Sequence, residues 1–173
     1  MAPKISILSF AGSLRKGSYN QSLLRAALEM VPAEVELEIF DLEGIPLFNQ
    51  DLENQPPEKV KEFKAKIRAA DAILIATPEY NYSIPGVLKN AIDNASRPYG
   101  DNAFNGKPVA IMGASIGMLG TARAQYHLRQ SLVFLNMYPL NQPEVMVPFA
   151  QEKIDQNGRV TDQKTREKIK ELL

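Results

Sequence analysis

The sequence predicts an α/β fold, a three-layer sandwich in which a five-stranded parallel sheet lies between helices on both faces. Three observations predict it. Short runs rich in Ile and Leu alternate along the chain with helical patterns, the order that right-handed strand-helix-strand crossovers require. The runs Lys4 to Phe10 and Asp71 to Thr77 are short, rich in Ile and Leu and bounded by turn residues, as strands covered on both faces are. A length of 173 residues suffices for one buried core and is short for two, so residues 1–173 read as a single domain.

The elements follow in order. Lys4 to Phe10 is the first strand, and the first helix carries Leu23, Leu24, Ala27, Leu28 and Val31 at helical spacing. Val35 to Asp41 alternates apolar and polar residues and forms the second strand. Val60, Phe63, Ile67 and Ala70 mark a helix ahead of the third strand, Asp71 to Thr77. Ile84, Val87, Leu88, Ala91, Ile92 and Ala95 mark the next helix, and Pro108 to Ala114 is the fourth strand. Between Gly120 and Leu135 two apolar rows run along one helix: Ala124, Leu128 and Leu135, and then Ala122, Tyr126 and Val133. A sheet covers one row; the second, interleaved with Arg123 and Arg129, suits a partner subunit. A fifth strand falls within Tyr138 to Val147, and Thr161 to Leu173 is a last helix with Ile169, Leu172 and Leu173 as its apolar stripe. Gln50 to Pro57 and Arg97 to Gly106 are polar and rich in Pro, Gly and Asn, so they are loops.

Composition narrows the chemistry. Lys plus Arg equal Asp plus Glu at 20 each, which points to neither nucleic acid nor an anionic membrane as the main partner. There are no cysteines and a single histidine, which removes disulfides, thiolate metal sites, cysteine nucleophiles and His-rich metal sites. No metal site is expected. Reactivity has to come from carboxylates, hydroxyls or a bound cofactor. Apolar runs such as Ala72 to Ala76 are far too short to span a bilayer and no targeting signal opens the chain, so a soluble cytoplasmic protein is expected.

The first strand runs into a helix through Phe10-Ala11-Gly12-Ser13-Leu14-Arg15-Lys16-Gly17-Ser18-Tyr19-Asn20. Gly12 and Gly17 allow backbone conformations that bulkier residues resist. Ser13, Ser18 and Asn20 offer short donors, Arg15 a charged fork, and the new helix directs unpaired N–H groups at the same spot. A single N-cap needs only one such residue; this cluster makes an anion cradle. It lacks the Gly-Lys-Ser/Thr ending that holds magnesium and a nucleoside triphosphate, and it lacks the three-glycine dinucleotide spacing. The anion it suits is a metal-free phosphate monoester. A second loop, Pro78-Glu79-Tyr80-Asn81-Tyr82-Ser83, follows the third strand; its Pro and aromatic residues stiffen a backbone that can then meet the edge of a planar ring. In an open sheet, ligands bind beyond the carboxyl ends of strands where the strand order reverses, and both loops sit there.

These two loops, with the second continuing as Ile84-Pro85-Gly86-Val87-Leu88-Lys89-Asn90-Ala91-Ile92-Asp93, resemble those of the NADPH-dependent FMN reductases, a family that includes soluble quinone, chromate and azo-dye reductases. The element order extends the likeness from about Lys4 to about Pro148. The resemblance implies a flavodoxin-like fold with strand order 2-1-3-4-5, bound FMN, and NADPH or NADH as hydride donor. It implies that Ser13, Arg15, Ser18, Tyr19 and Asn20 lie at the phosphate and that Pro78, Glu79, Tyr80, Asn81 and Tyr82 lie at the ring edge. Asn94 stands where the family usually carries an aromatic residue.

Gly113-Ala114-Ser115-Ile116-Gly117 admits two readings. It fits G-x-S-x-G, the strand-turn-helix elbow of serine hydrolases. That fold needs an acid and then a histidine further along, but His127, the only histidine, lies in the very next helix with no strand between. In the flavin reading, which the resemblance supports, Ser115 bonds the ring's other polar edge. His127 is then a helix-surface or interface residue, and Asp41, without the dinucleotide fingerprint, is a turn residue. The flavin carries the chemistry, so no side chain is assigned as catalytic. The expected function is ping-pong transfer of a hydride from NAD(P)H to a small acceptor (quinone, flavin, azo dye or chromate) by a homodimer or homotetramer. The alternative is a flavodoxin-like electron carrier with no substrate of its own; such carriers are usually strongly acidic, and this chain is neutral.

Overall fold

A computed structural model describes residues 4–173. Six strands and six helices follow one another as β1 Ile5–Ala11, α1 Tyr19–Met30, β2 Val35–Phe40, α2 Glu58–Ala69, β3 Ala72–Ala76, α3 Gly86–Ala95, β4 Pro108–Ala114, α4 Ala122–Phe134, β5 Tyr138–Pro139, β6 Val145–Val147, α5 Ala150–Lys153 and α6 Gln163–Leu172. Every pairing is parallel and the strand order is β2-β1-β3-β4-β5, with β6 also joined to β4. The chain reverses direction across the sheet between β1 and β3, where the flavodoxin-like order has its switch point.

Apolar side chains divide between two cores, one on each face. Phe10, Phe63, Ile75, Leu88 and Leu128 lie under α2, α3 and α4, and the Phe63 ring meets Phe10 edge-on at 5.2 Å between centroids. Leu23, Leu24, Leu74, Met112, Val147 and Ile169 lie under α1 and α6. Continuous apolar strands are therefore explained by burial on both sides. Asp162 starts α6 by accepting from the Thr165 N–H (2.8 Å) and hydroxyl (2.7 Å), and Ile169 and Leu172 are buried as their spacing implies. The row of Ala124, Leu128 and Leu135 on α4 is buried, whereas Tyr126 and Val133 of the second row face outward.

The fifth strand departs from the sequence expectation. It is split in two: Tyr138 pairs with Pro108 at the start of β4, and Val145 and Val147 pair with Met112 and Ala114 near its end. Pro139 and Pro143 have no N–H to give a continuous ladder. Arg129 holds the intervening stretch through the Leu140 carbonyl (2.7 Å) and Asn141 Oδ1 (3.2 Å).

The Arg97 to Gly106 loop lies at the amino end of β4, at the opposite end of the sheet from the loops after β1 and β3. The Lys64 ammonium, almost fully buried, donates to Asp101 Oδ2 at 2.6 Å and to the Arg97 carbonyl, and Arg68 joins the same carboxylate. Hydrogen bonding from Lys64 holds the Asp101 carboxyl below the usual carboxylate range. Asp101→Ala leaves the buried ammonium with only the Arg97 carbonyl, so urea denaturation at pH 7 should show a loss of about 1–3 kcal/mol. A lowered folded-state pKa stabilises at pH values above the unfolded value, about 3.9. The difference between wild type and variant should therefore shrink as pH falls below about 4. An unchanged midpoint at pH 7 would assign the loop's anchorage elsewhere.

Candidate functional site

A cavity of about 390 Å³ opens beyond the carboxyl ends of β1, β3 and β4, lined by Ser13, Arg15, Ser18, Tyr19, Asn20, Pro78, Glu79, Tyr80, Ala114, Ser115 and Ile116. Its walls come from three loops separated in sequence, after β1, β3 and β4. A cavity of about 460 Å³ at the other end of the sheet is lined by residues such as Ile5, Val35, Ala72, Val109 and Leu173 and offers no charged side chain. Of these two, the first suits a phosphate-bearing ligand.

At the donor-rich end, Ser18 caps α1: its hydroxyl accepts from the Gln21 N–H at 3.4 Å. Ser13 Oγ accepts from the Arg15 N–H at 3.3 Å. Both serines are buried, and in these contacts their oxygens only accept, so both hydroxyl protons are free to donate to an anion. Arg15 folds over the Gly17 carbonyl with its guanidinium 5.3 Å from the Tyr19 ring centroid. The glycines act otherwise than their type suggests. Neither Gly12 nor Gly17 has a positive φ. A Cβ at Gly12 would come within 2.8 Å of Pro85 Cγ and 3.2 Å of Leu88 Cβ, so glycine lets the loop touch the start of α3; at Gly17 a Cβ would meet nothing within 4 Å.

Asn20 does something different from its neighbours. Its Nδ2 donates to the Ala114 carbonyl at 3.0 Å and its Oδ1 accepts from the Ala114 N–H at 2.9 Å, both buried. It ties the start of α1 to the end of β4 and sets the distance between two walls of the cavity.

On the ring side the backbone is strained. The Tyr80 N–H bonds the Ser83 carbonyl and the Ser83 N–H bonds the Tyr80 carbonyl, each at 3.0 Å, with Asn81 at φ 50° and Tyr82 at φ 67°. Two successive left-handed residues make a tight turn that Asn-Gly adopts freely; a tyrosine there costs about 1–2 kcal/mol. Tyr80 lines the cavity, while Asn81 and Tyr82 stand on the turn outside it. Glu79 is engaged behind the wall: Oε2 accepts from the N–H groups of Arg123 (3.0 Å) and Ala124 (3.2 Å) at the start of α4, and Oε1 meets the Arg123 guanidinium at 3.2 Å. The sequence of the loop after β3 gave no hint of Arg123, which belongs by sequence to a helix surface and by structure to the back of this wall.

The third loop brings Ser115 to the cavity. Its N–H is committed to the Val147 carbonyl (3.1 Å) and its carbonyl to the Ala150 N–H (3.0 Å), which leaves the hydroxyl, 3.4 Å from the Gly117 carbonyl, to face a ligand. Gly113 is required by packing: a Cβ would lie 2.0 Å from Thr121 Oγ1 and 2.5 Å from the Thr77 carbonyl. No hydrolase relay is present, because His127 Nδ1 lies 2.8 Å from Ser83 Oγ rather than at Ser115. Asp41 accepts from the Glu43 N–H at 2.9 Å, a turn contact. Asn94 is buried on α3, donating to the Pro46 carbonyl at 3.1 Å and the Asn90 carbonyl at 3.0 Å, and it takes no part in the cavity.

The cavity thus joins a donor-rich end to a flat end made by Pro78, Tyr80, Ala114 and Ile116. An anionic head on a planar body fits it, and FMN is such a group.

The family model described as NADPH-dependent FMN reductase matches residues 5–152. An NAD(P)H-dependent FMN reductase of Pseudomonas aeruginosa is 55% identical over 174 aligned residues, covering 100% of this chain and 94% of that protein. A 2-hydroxy-1,4-benzoquinone reductase of a Burkholderia species is 43% identical, covering 100% and 93%. Among solved structures, the flavoenzyme NAD(P)H:(acceptor) oxidoreductase FerB from Paracoccus denitrificans superposes with a TM-score of 0.88 at 37% identity, covering 96% of this chain and 92% of that one.

Asn20→Ala would leave both backbone groups of Ala114 unpaired in the interior, so thermal denaturation should show about 2–4 kcal/mol of lost stability. Asn20→Asp keeps one acceptor and should fall between. A variant as stable as the wild type would show that β4 and α1 are held together by other contacts.

Proposed function

The chain belongs to the NADPH-dependent FMN reductases, and we propose that it binds FMN in the cavity beyond β1, β3 and β4 and passes reducing equivalents from NAD(P)H to a quinone-like acceptor. The observation that carries this reading is the cavity's two-ended chemistry, with free hydroxyl protons and a guanidinium at one end and flat apolar walls at the other. Ser13, Arg15 and Ser18 hold the phosphate, together with the N–H groups at the start of α1. Tyr19 backs Arg15 and Asn20 fixes the loop. Pro78, Glu79 and Tyr80 offer backbone groups to the ring edge, with Asn81 and Tyr82 forming the turn beside it, and Ser115 offers its hydroxyl from the opposite side. Bound FMN supplies the redox chemistry, and the protein's residues bind, orient and shield it. Donor and acceptor use the same face of the bound flavin in turn on this reading, so double-reciprocal plots at several acceptor concentrations should be parallel lines.

The test of the assignment is a comparison of FMN with riboflavin. Loss of a charge-assisted contact costs about 1.5–3 kcal/mol, so Arg15→Ala should weaken FMN binding roughly ten- to a hundredfold and riboflavin binding far less. Equal affinity of the wild type for the two flavins would overturn it. NADPH oxidation by the purified protein with a quinone, measured alongside, separates an enzyme from an electron carrier.

We propose also that the protein is a cytoplasmic homodimer or homotetramer assembled through α4 and β5. Val133 is 79% exposed, Phe134 71% and Tyr138 61%, and Leu140 and Tyr126 extend the same apolar face. Contiguous apolar surface of this kind marks association. The partner that Tyr126 needs is already in its own chain: its hydroxyl donates to Glu144 at 2.7 Å, and this bond to a carboxylate raises the phenol's pKa above its ordinary value. Arg123, for its part, pairs with Glu79 and not with Glu144. Val133→Asp should therefore break assembly where the exposed Lys61→Ala does not. Light scattering at micromolar concentration reads the result, and a wild-type mass of 19.2 kDa would reduce the face to solvated surface.

A further inference from the structure

We propose that Arg123 and His127, on the first two turns of α4, are positioning residues that hold the Tyr80–Ser83 turn in its strained form and thereby select planar aromatic acceptors; this rests on the flavin reading of the cavity. Neither residue lines the cavity. Both instead grip the turn that does. The Arg123 guanidinium carbon lies 3.6 Å from the centroid of the Tyr82 ring, a close cation–π stack, while the same side chain pairs with Glu79 at 3.2 Å. His127 Nδ1 lies 2.8 Å from Ser83 Oγ, at the turn's other end. Contacts from α4 thus reach three of the segment's residues, Glu79, Tyr82 and Ser83, and bracket the two whose φ is positive.

A left-handed tyrosine persists only where its surroundings over-determine it. Released from α4, Tyr82 would relax to negative φ, and Tyr80, two positions away on the same turn, would leave the cavity wall. A planar acceptor packed against that wall would lose its contact. A small acceptor that takes electrons without stacking would not.

The experiment compares wild type with Arg123→Met, His127→Ala and the conservative Arg123→Lys and His127→Gln, each as the FMN-loaded protein. For menadione, a two-ring quinone, KM should rise about five- to tenfold in Arg123→Met and His127→Ala with kcat changed less than twofold, and the conservative variants should recover most of it. KM for ferricyanide and the affinity for FMN should stay within about twofold of wild type. Amide hydrogen exchange over residues 80–83 should accelerate at least tenfold in Arg123→Met, a readout independent of turnover. In a Tyr82→Gly background, where glycine adopts the turn freely, Arg123→Met should add less than a twofold change in that exchange. Unaltered exchange and menadione KM in either alanine or methionine variant would overturn the proposal, as would a parallel loss for both acceptors and FMN, which marks a purely structural role. If Arg123→Met does not fold, His127→Ala, with His127→Gln as its conservative control, decides the matter by the same exchange and KM readouts. A wild-type protein that binds no FMN would instead sink the flavin reading itself, an outcome visible before any variant is made.

Discussion

Two hydrogen bonds between the Asn20 side chain and the backbone of Ala114 join the loop after β1 to the end of β4 across the intervening β3, and the cavity's width depends on them. The ladder between β3 and β4 ends at Ala76 opposite Met112. Beyond that point β3 turns away, and the N–H and C=O of Ala114 would face the interior without strand partners. Asn20, 2% exposed, satisfies both. Any other residue type at that position leaves at least one buried backbone group unpaired, apart from a side chain that is both donor and acceptor at the same reach. On the other side of β4, Ala114 pairs with Val147, so the end of the strand is held from both flanks and can carry Ser115 and Ile116 at a fixed place.

The two ends of the cavity rest on different supports. The donor-rich end is local, since Ser13, Arg15 and Ser18 belong to one loop and the helix it opens. The ring end is not local. Its turn follows β3 and is gripped by α4, more than forty positions later in the chain, with Glu79 capping that helix as well as bracing the wall. The carboxylate at the amino end of α4 is favoured there by the helix dipole, so the contact that braces the wall also stabilises the helix. The outward face of α4 carries Tyr126 and Val133, so the helix that would meet another subunit is also the helix that sets the wall.

The sequence made much of this legible because parallel sheets buried on both faces write their strands as apolar runs, and because loops beyond the carboxyl ends of such strands meet where the strand order reverses. Leu8, Phe10, Ile73 and Ile75 sit in the core as their runs imply, and the three loops that carry Ser13, Tyr80 and Ser115 come together at one cavity. What stayed hidden depends on distances that spacing does not encode. Gly12 looked like a residue chosen for its backbone freedom, yet its φ is ordinary and the constraint is Pro85 of a helix far along the chain. Asn20 looked like a phosphate donor beside Ser18, yet its amide reaches Ala114. The 97–106 stretch reads as a loop and is one, but its spacing does not say that it emerges at the amino end of the sheet, held there by Lys64. The break in the fifth strand was written in Pro139 and Pro143, whose lack of N–H groups outweighs the apolar run around them.

On the proposed function, discrimination among acceptors falls to the cavity's own walls. Tyr80 and Ile116 line the cavity, both large and both more than half exposed. Surfaces of that kind discriminate by shape and stacking area, which distinguish planar rings from small ions but separate one planar ring from another only weakly. A site made this way accepts a class of molecules, and how broad that class is turns on how firmly the Tyr80–Ser83 turn is held, since a wall free to move admits acceptors that a fixed one turns away.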